Sequence, residues 1–240
     1  MVIYLPELSA DPSQFPSPDR ALSEPDGLLA MGGDLSVPRL QQAYQQGIFP
    51  WFSEGDPLLW WSPSIRATFE PDTLKINRSL RKQLSKSQYR VLLNQHFAAV
   101  VQGCSEARPS QAGTWILPQM QQAYLELHQA GLAHSVEVWR DDELVGGCYG
   151  VQTGLLFCGE SMFNREANAA KVALCALQYQ LQRFGGGWID CQLMNPFLQQ
   201  LGATTISRAD YLQRLSDLGQ DSLAPGCWAA TELPESWWYE

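Results

Sequence analysis

Three short runs between residues 134 and 163 constrain the fold of this chain more than any other part of its sequence. The runs HSVEVWR (134–140), ELVGGCYGVQTG (143–154) and LLFCGESMF (155–163) have the β-branched and aromatic character of strands, and few residues separate them. Strands with such short connections pair in the antiparallel direction, because a parallel pair needs a crossover of a dozen or more residues. The sequence therefore predicts an antiparallel meander.

Helices and further strands surround this meander. Apolar periodicity and glycine stops predict strands at 89–94 and 188–193, and helices at 96–106, 117–131, 168–183 and 195–202. Residues 1–64 are instead dense in proline, glycine and tryptophan, with one clear helix between Ser36 and Gly47. We therefore expect an α+β protein in which a mixed, mostly antiparallel sheet flanked by helices occupies residues 65–235. A small irregular domain is expected in residues 1–64.

The predicted element order after residue 64, β-α-α-β-β-β-α-β-α, resembles the core of the N-acetyltransferase (GNAT) superfamily. That superfamily holds the CoA pyrophosphate in a turn of the pattern R/Q-x-x-G-x-G/A after its fourth strand. The matching segment here runs from Arg165 to Ala170, and Asn168 stands in place of the first glycine. A side chain there, with Glu166 nearby, makes a poorer nest for an anion. We expect a GNAT-like fold, and a CoA-dependent acetyltransferase remains an alternative.

Composition and cysteine usage limit the class of protein further. Hydrophobic residues make up 45% of the chain, which is enough to bury a core. No stretch approaches the ~18 consecutive apolar residues that suggest a membrane span, and residues 1–15 lack the basic start of a signal peptide. We therefore expect a cytoplasmic protein. The six cysteines have no metal-ligand spacing, so free thiols and no metal are expected, with a nucleophilic cysteine as an alternative.

One basic segment stands out against a formal net charge of −9. Between residues 75 and 90 the chain carries six basic residues and no acidic one: Lys75, Arg78, Arg81, Lys82, Lys86 and Arg90. On a helix, like charges four residues apart repel each other unless something anionic lies against them. The segment therefore indicates either a strip that contacts nucleic-acid phosphates or a solvated helix face.

Several strings together resemble the leucyl/phenylalanyl-tRNA–protein transferase family. They are FPSPDRALSEPDGLLAMGGDLS (15–36), AYQQGIFPWFS (43–53), LLWWSPSIRA (58–67), GTWI (113–116), AHSVEVWRDDELVGGCYGV (133–151), LFCGESMFNREANAAK (156–171) and IDCQ (189–192). The resemblance implies a cytosolic enzyme that moves leucine or phenylalanine, less often methionine, from charged tRNA. The acceptor is a protein with N-terminal Arg or Lys, which is thereby marked for N-end rule degradation. The resemblance implies no metal and no cofactor.

The resemblance also implies roles for particular residues. The pocket for the donor's apolar side chain would be built by Cys148, Leu174, Leu177, Leu181 and Ile189. Glu160 would seat the donor's α-ammonium group, while Asp190 and Gln192 would act on the acceptor amine. Residues i and i+2 of a strand point to the same side, so we expect Asp190 and Gln192 to share one face of the predicted strand 188–193. Each set has an ordinary alternative: a core helix face, a structural hydrogen bond, or an ion pair at a strand end.

Two tryptophans match positions beside the donor. Trp51 and Trp115 would stack on the terminal adenine of the tRNA, or else belong to the core of a tryptophan-rich protein. Tyr44 and Tyr124 are expected at the rim of the site. The basic segment 75–90 would grip the phosphates of the acceptor stem. A non-catalytic RNA-binding protein is the remaining alternative, and it shares these expectations except turnover.

Overall fold

The computed structural model describes residues 4–76, 78–84, 89–106 and 115–238. Its strands are β1 (Glu7–Leu8), β2 (Leu28–Gly32), β3 (Phe49–Pro50), β4 (Leu59–Trp61), β5 (Ile65–Phe69), β6 (Tyr89–Leu93), β7 (Ala133–Arg140), β8 (Glu143–Thr153), β9 (Leu156–Asn164), β10 (Trp188–Asp190), β11 (Thr204–Ser207) and β12 (Thr231–Glu232). Its helices are α1 (Val37–Gln45), α2 (Arg78–Leu84), α3 (Phe97–Ser105), α4 (Pro118–Gln129), α5 (Ala169–Arg183), α6 (Pro196–Gln200) and α7 (Arg208–Leu218). A short 3₁₀ turn lies at Pro18–Arg20.

An eight-stranded sheet forms the body of the protein, in the order β11-β5-β10-β9-β8-β7-β6-β12. Its neighbouring strands are antiparallel except for the pair β9 and β10, which is parallel. The predicted meander is confirmed as β7, β8 and β9, and the predicted element order is found in β6 through α6. The expected α+β architecture, with a mostly antiparallel sheet flanked by helices, is therefore confirmed.

Alternation along β8 shows why helices cover both faces of this sheet. Leu144 and Tyr149 belong to the hydrophobic cluster that contains α3 and α4, whereas Val145 and Cys148 belong to the cluster that contains α5. Adjacent side chains of a strand point to opposite faces, and a shift of the β7–β8 register at Val145 moves this alternation by one residue, so β8 supplies apolar groups to both layers. A helix layer buries each face, which places the meander at the centre of the molecule.

The first part of the chain is more regular than expected. Strands β1, β2, β4 and β3 form a separate four-stranded sheet, and α1 lies between β2 and β3 in sequence. Their buried side chains, among them Leu40, Tyr44 and Trp60, belong to the same hydrophobic cluster as α3 and α4. The division of the chain at residue 64 stays a prediction, but these residues share a core with the larger sheet.

The predicted strand at 188–193 is too long. Strand β10 ends at Asp190, because the Oδ1 atom of that residue accepts a hydrogen bond of 2.9 Å from the backbone N–H of Gln192. Gln192 itself adopts a left-handed conformation with φ 55°. An Asp side chain that binds the backbone two residues on imitates a turn. Asp190 and Gln192 therefore do not share a strand face, and that expectation is wrong.

All six cysteines are free thiols, and those at 148, 158, 175 and 227 are buried. In the described part of the chain, no helix is long and apolar enough to cross a membrane. Within the same residues, no group of three or more His, Cys, Asp or Glu side chains could hold a metal ion.

Candidate active site

A cavity of about 900 Å³ opens where β9 and β10 separate. The two strands pair only from Leu156 to Cys158 of β9, whereas β9 continues to pair with β8 as far as Asn164. The second half of β9 therefore lines a gap in the sheet instead of bonding to β10. Residues of α3, β8, α5 and α6 complete the lining.

One wall of the cavity is apolar and matches four of the five predicted pocket residues. Cys148, Leu174, Leu177 and Ile189 line it, and each is at most 4% exposed. The leucines are three residues apart on α5, so they project from one helix face. Leu181 is buried in the same hydrophobic cluster but is not among the described residues that line the cavity. A pocket of this chemistry suits a bulky apolar side chain.

A β-bulge aims Glu160 at this cavity. Tyr149 pairs with Ser161 and Gly150 pairs with Gly159, which leaves Glu160 as the extra residue of β9. Bulges redirect side chains and are frequent beside active sites. Position 150 must be glycine here, since a Cβ atom would lie 2.1 Å from the carbonyl oxygen of Cys158. The close contact between the backbones at Gly150 and Cys158 is therefore part of the bulge that places the carboxylate of Glu160.

Glu160 is the centre of a hydrogen-bonded chain. Its Oε2 atom accepts from the Tyr124 hydroxyl at 2.5 Å, and that hydroxyl lies 3.1 Å from the hydroxyl of Tyr44. Its Oε1 atom accepts from Nε2 of Gln192 at 3.3 Å. Tyr44 and Tyr124 are 2% and 0% exposed, so their expected place at the rim is wrong. They are buried partners of the carboxylate.

Desolvation raises the pKa of Glu160 to about 7. The hydrogen bonds from Tyr124 and Tyr44 favour the ionised form and limit the rise. The carboxylate can therefore take or release a proton near neutral pH. A cation bound beside it would favour the ionised form and lower its pKa again.

Asp190 lies outside this lining, in a buried ion pair with Arg66 of β5. Both side chains are at most 2% exposed. Nε and Nη2 of Arg66 donate to the two carboxylate oxygens, and the Tyr211 hydroxyl donates to Oδ2 at 3.0 Å. With the backbone N–H of Gln192, the carboxylate accepts four hydrogen bonds. Burial alone would disfavour the charge on Arg66, but Asp190 and Tyr211 outweigh burial and raise the pKa of the guanidinium.

Gln192 joins the two polar centres. Its backbone N–H binds Asp190, its backbone oxygen accepts from the N–H of Ala67 at 3.0 Å, and its side-chain Nε2 binds Glu160. The backbone of Gln192 is therefore held through both its N–H and its carbonyl group, and the side chain is held through Nε2. Gln192 also lines the cavity, so its side-chain Oε1 atom can accept a hydrogen bond from a bound molecule.

Trp51 and Trp115 are not among the described residues that line the cavity. Trp51 follows β3 and is 42% exposed, and its ring packs edge-on against Trp61 with centroids 5.4 Å apart. Trp115 is partly buried against the cluster of α3 and α4. An exposed tryptophan ring supported by a second ring is suited to stacking on a base. The roles of both residues stay predictions.

The basic segment has a helical centre. Leu80 and Leu84 of α2 are 3% and 5% exposed, so one side of the helix packs on the protein. The described basic side chains of the segment are all exposed: Lys75, Arg78, Arg81, Lys82 and Arg90. Arg78, Arg81 and Lys82 are neighbours on the helix surface, because they are three or four residues apart.

Arg90, at the end of the segment, is paired with a carboxylate. Its guanidinium binds both carboxylate oxygens of Glu232 on β12, at 3.0 and 2.8 Å. A phosphate would have to compete with this pair, so we leave Arg90 out of the proposed nucleic-acid surface. Lys86, which was predicted to contact phosphate, lies outside the described residues.

The segment that would hold CoA has little to offer an anion. The backbone N–H groups of Arg165 and Glu166 both donate to the carbonyl of Val145, at 2.7 and 3.3 Å. The N–H of Ala169 donates to the carbonyl of Glu166 at 3.2 Å. An anion nest needs such N–H groups to be free. The local geometry therefore argues against the acetyltransferase alternative.

Cys148 and Cys191 are also disfavoured as nucleophiles. Cys191 and Cys148 line the cavity, and burial raises the pKa of both thiols, to about 12 for Cys148. A reactive cysteine needs its thiolate stabilised instead.

Sequence reasoning missed Arg66 and Tyr211. Each lies in a run that resembles ordinary secondary structure, and the one available signal was an arginine inside the apolar strand pattern IRATF.

Comparison with known proteins agrees with the resemblance noted from the sequence. The family described as Leucyl/phenylalanyl-tRNA protein transferase matches residues 68–216, and the N-terminal domain of that family matches residues 33–64. A relative from Edwardsiella ictaluri (strain 93-146) is 56% identical over 222 residues, which cover 92% of this chain and 89% of the relative. A relative from Shewanella halifaxensis (strain HAW-EB4) is 51% identical, covering 94% of this chain and 96% of its own.

Both relatives carry the name leucyl/phenylalanyl-tRNA–protein transferase. So does a third, from Pectobacterium carotovorum subsp. carotovorum (strain PC1), which is 51% identical over 95% of this chain and 97% of its own. The matches cover 92–95% of this chain and 89–97% of each relative. The chain is therefore an aminoacyltransferase that belongs to the leucyl/phenylalanyl-tRNA–protein transferase family.

Proposed function

We propose that this enzyme transfers leucine or phenylalanine, and less efficiently methionine, from charged tRNA to proteins that begin with Arg or Lys. The new N-terminal residue would mark the protein for N-end rule degradation in the cytoplasm, and no metal or cofactor takes part. The observation that carries the proposal is the cavity in which an apolar wall adjoins Glu160. A donor amino acid has the matching pair of features, an apolar side chain and an α-ammonium group.

The donor is seated by both features together. Its side chain packs on Leu174, Leu177 and Ile189, while its α-ammonium binds Glu160. Pockets of this kind discriminate weakly, because one methylene is worth only about 1–3 kcal/mol. Glu160 also keeps the donor amine charged, since an ion pair favours both ionised partners. A protonated amine cannot attack, so the donor is protected from acting as the nucleophile.

The reaction is an aminolysis of the aminoacyl ester. The α-amino nitrogen of the acceptor attacks the ester carbonyl carbon, the C–N bond forms, and the C–O bond to the terminal ribose breaks. The proton lost by the amine ends on the ribose oxygen. An α-amino group has an ordinary pKa near 7.7–8.0, so a useful fraction is neutral at physiological pH.

Gln192 orients the acceptor in this proposal, and Asp190 positions Gln192. The amide oxygen of Gln192 accepts a hydrogen bond from the attacking amine. Asp190 already accepts four hydrogen bonds from Arg66, Tyr211 and the Gln192 backbone, which leaves it poorly placed to collect a proton. The support therefore favours Asp190 as a scaffold. Positioning of this kind can supply much of a rate enhancement.

The decisive experiment uses tRNA charged with labelled leucine or phenylalanine and two peptides that differ only in their first residue, Arg or Ala. We expect label on the Arg peptide alone. A non-catalytic RNA-binding protein would bind the charged tRNA and transfer nothing to either peptide. In a parallel reaction with labelled acetyl-CoA and no tRNA, an acetyltransferase would label the Arg peptide. Either result would overturn the proposed function.

The exposed face of α2 is proposed to contact the acceptor-stem phosphates. Replacing Arg78 and Arg81 by Gln should weaken the binding of charged tRNA. The variant neutralises fewer phosphates, so its binding releases fewer counterions. The slope of log K against log salt should fall by roughly 1–2, since each contact contributes about 0.7–0.9. Filter binding at salt concentrations from about 50 to about 200 mM would measure this slope.

The matched control removes the same charge elsewhere. Arg20 and Arg183 are both exposed and lie outside the basic segment, so a variant with Gln at both positions should keep the original slope. If the control lowers the slope as much as the α2 variant, binding responds to overall charge, and α2 is not the contact surface.

A further inference from the structure

The cavity has a second, polar end that the donor does not use. Beyond Glu160 it is lined by Gly103 and Cys104, in the last turn of α3, and by Glu106 and Arg165. These residues belong to α3 or follow α3 and β9, whereas the leucines of the apolar wall belong to α5. A molecule held at Glu160 therefore has a neighbouring space of different chemistry.

The end of α3 favours a positive charge. The C-terminus of a helix carries a partial negative charge from its unpaired carbonyl groups, and cations are stabilised there. Glu106 caps this end and adds a full negative charge where a cationic residue would be usual. Its carboxylate is half exposed, at 51%. Two negative groups thus face the same part of the cavity.

The protein's own guanidinium group occupies this place. Nη2 of Arg165 lies 2.8 Å from Oε2 of Glu106, and Nη1 donates to the carbonyl of Leu144 at 3.0 Å. The Arg165 side chain is 50% exposed, so the pair is open to water and exchangeable. Exposed ion pairs of this kind contribute little to stability, because solvent screens the two charges. A competing cation could therefore displace Arg165 at little cost.

A second observation points independently to a ligand. The hydroxyl of Tyr149 is fully buried and has no hydrogen-bond partner, yet Tyr149 lines the cavity. Its ring is held edge-on against Tyr124 and Phe97, with centroids 5.1 and 5.8 Å apart. A buried polar group without a partner is costly, and a bound molecule can satisfy it. This hydroxyl can accept a hydrogen bond from an N–H donor.

We propose that Glu106, the carbonyl end of α3 and the Tyr149 hydroxyl form the subsite for the cationic side chain of the acceptor's first residue. The proposal rests on the proposed function, and it names the residues that would cause the preference for Arg or Lys. The guanidinium or ammonium group displaces Arg165 from Glu106, while the acceptor's α-amine stays beside Gln192. Arg165 acts as an internal competitor that fills the subsite between turnovers.

Two substitutions should act in opposite directions. Glu106→Gln should raise the KM for an Arg-initiated peptide several-fold, because it removes the charge partner of the guanidinium from an ion pair that solvent partly screens. The KM for charged tRNA and the rate at saturating peptide should not change. Arg165→Met should instead lower the KM for the Arg peptide several-fold, because it removes the competitor. Tyr149→Phe should raise that KM by a smaller factor than Glu106→Gln.

The assay compares peptides beginning with Arg or with citrulline, which has the same shape but no charge. Wild type should prefer Arg, and Glu106→Gln should bring the two KM values together. Glu232→Gln is the matched control, because Glu232 also pairs with an exposed arginine but lies on β12. It should leave the preference intact.

The outcomes separate this inference from the proposed function. Transfer by wild type, with an unchanged Arg preference in Glu106→Gln, overturns the subsite and leaves the proposed function standing. An equal loss of preference in Glu232→Gln also overturns it, because the effect would then follow overall charge. Absence of transfer by wild type to either peptide overturns the proposed function itself.

Discussion

Replacing Asp190 by alanine is expected to lower the free energy of unfolding by about 3–5 kcal/mol. The substitution leaves the guanidinium of Arg66 buried without its carboxylate, and an uncompensated buried charge of this kind is strongly destabilising. Domains are typically stable by only 5–15 kcal/mol, so the variant would lose a large part of its stability. Urea unfolding of wild type and variant would measure the difference.

Two further variants separate folding from catalysis. Replacing the pair together, as Arg66→Met with Asp190→Leu, should recover much of the lost stability, because no buried charge is left. Transfer activity should stay low in this double variant, since the turn that holds Gln192 has lost its carboxylate acceptor. A single Asp190→Ala variant as stable as wild type would contradict the importance of the ion pair. Full activity in the stable double variant would contradict the scaffold role of Asp190.

Replacing Glu160 by glutamine is expected to lower kcat/KM for the charged-tRNA donor roughly 10- to 100-fold. The donor's α-ammonium would lose a charged hydrogen-bond acceptor, and such bonds contribute about 1.5–3 kcal/mol. Single-turnover transfer at several donor concentrations would measure the effect. The exposed hydrogen bond between Gln122 and Glu126 on α4 offers a control site, and Glu126→Gln should leave transfer unchanged. Equal activity in wild type and Glu160→Gln would exclude this role.

The same variant also makes a prediction about stability and pH. The pKa of Glu160 rises from its usual 4.5 to about 7 in the folded protein, with burial as the main cause. Below pH 4.5 the group is protonated in both states, and its raised pKa contributes its full stability. That contribution is lost as the pH rises through 7, because the folded state must then hold a partly buried charge. Glutamine avoids this loss, so Glu160→Gln should gain stability relative to wild type between pH 4 and pH 8.

Thermal unfolding at these two pH values would test the sign. The difference in melting temperature between variant and wild type should move in favour of the variant as the pH is raised. A difference that moves the other way would mean that Glu160 is ionised in the folded protein throughout this range. Its hydrogen bonds from Tyr124 and Tyr44 would then outweigh burial.

The regular part of the fold could be predicted because its elements carry local signals. The strands of the meander and the long helix α5 have apolar patterns that extend over many residues, and short turns or glycines separate them. The family resemblance, together with this regularity, predicts the residues of the apolar wall: Cys148, Leu174, Leu177 and Ile189. The sequence also pointed to Glu160, although nothing local indicated the bulge that aims it.

What could not be predicted depends on contacts between distant residues. Arg66 and Asp190 are 124 residues apart, and either one alone resembles a polar residue near a strand end. The turn at Gln192 follows from a side-chain hydrogen bond that apolar periodicity does not reveal, so a strand was expected there. Strand β11 and helix α7 are short or mostly exposed, and their apolar pattern is correspondingly weak.

The hydrogen-bonded chain from Tyr44 through Tyr124 to Glu160 has a consequence for how the sequence is divided. Tyr44 lies in α1, beside the four-stranded sheet, yet its hydroxyl helps to set the acidity of a carboxylate in β9. The first sixty residues are thus not a removable accessory to an independent catalytic unit. They supply part of the active site's electrostatics, and the acid strength of Glu160 is a property of the whole chain.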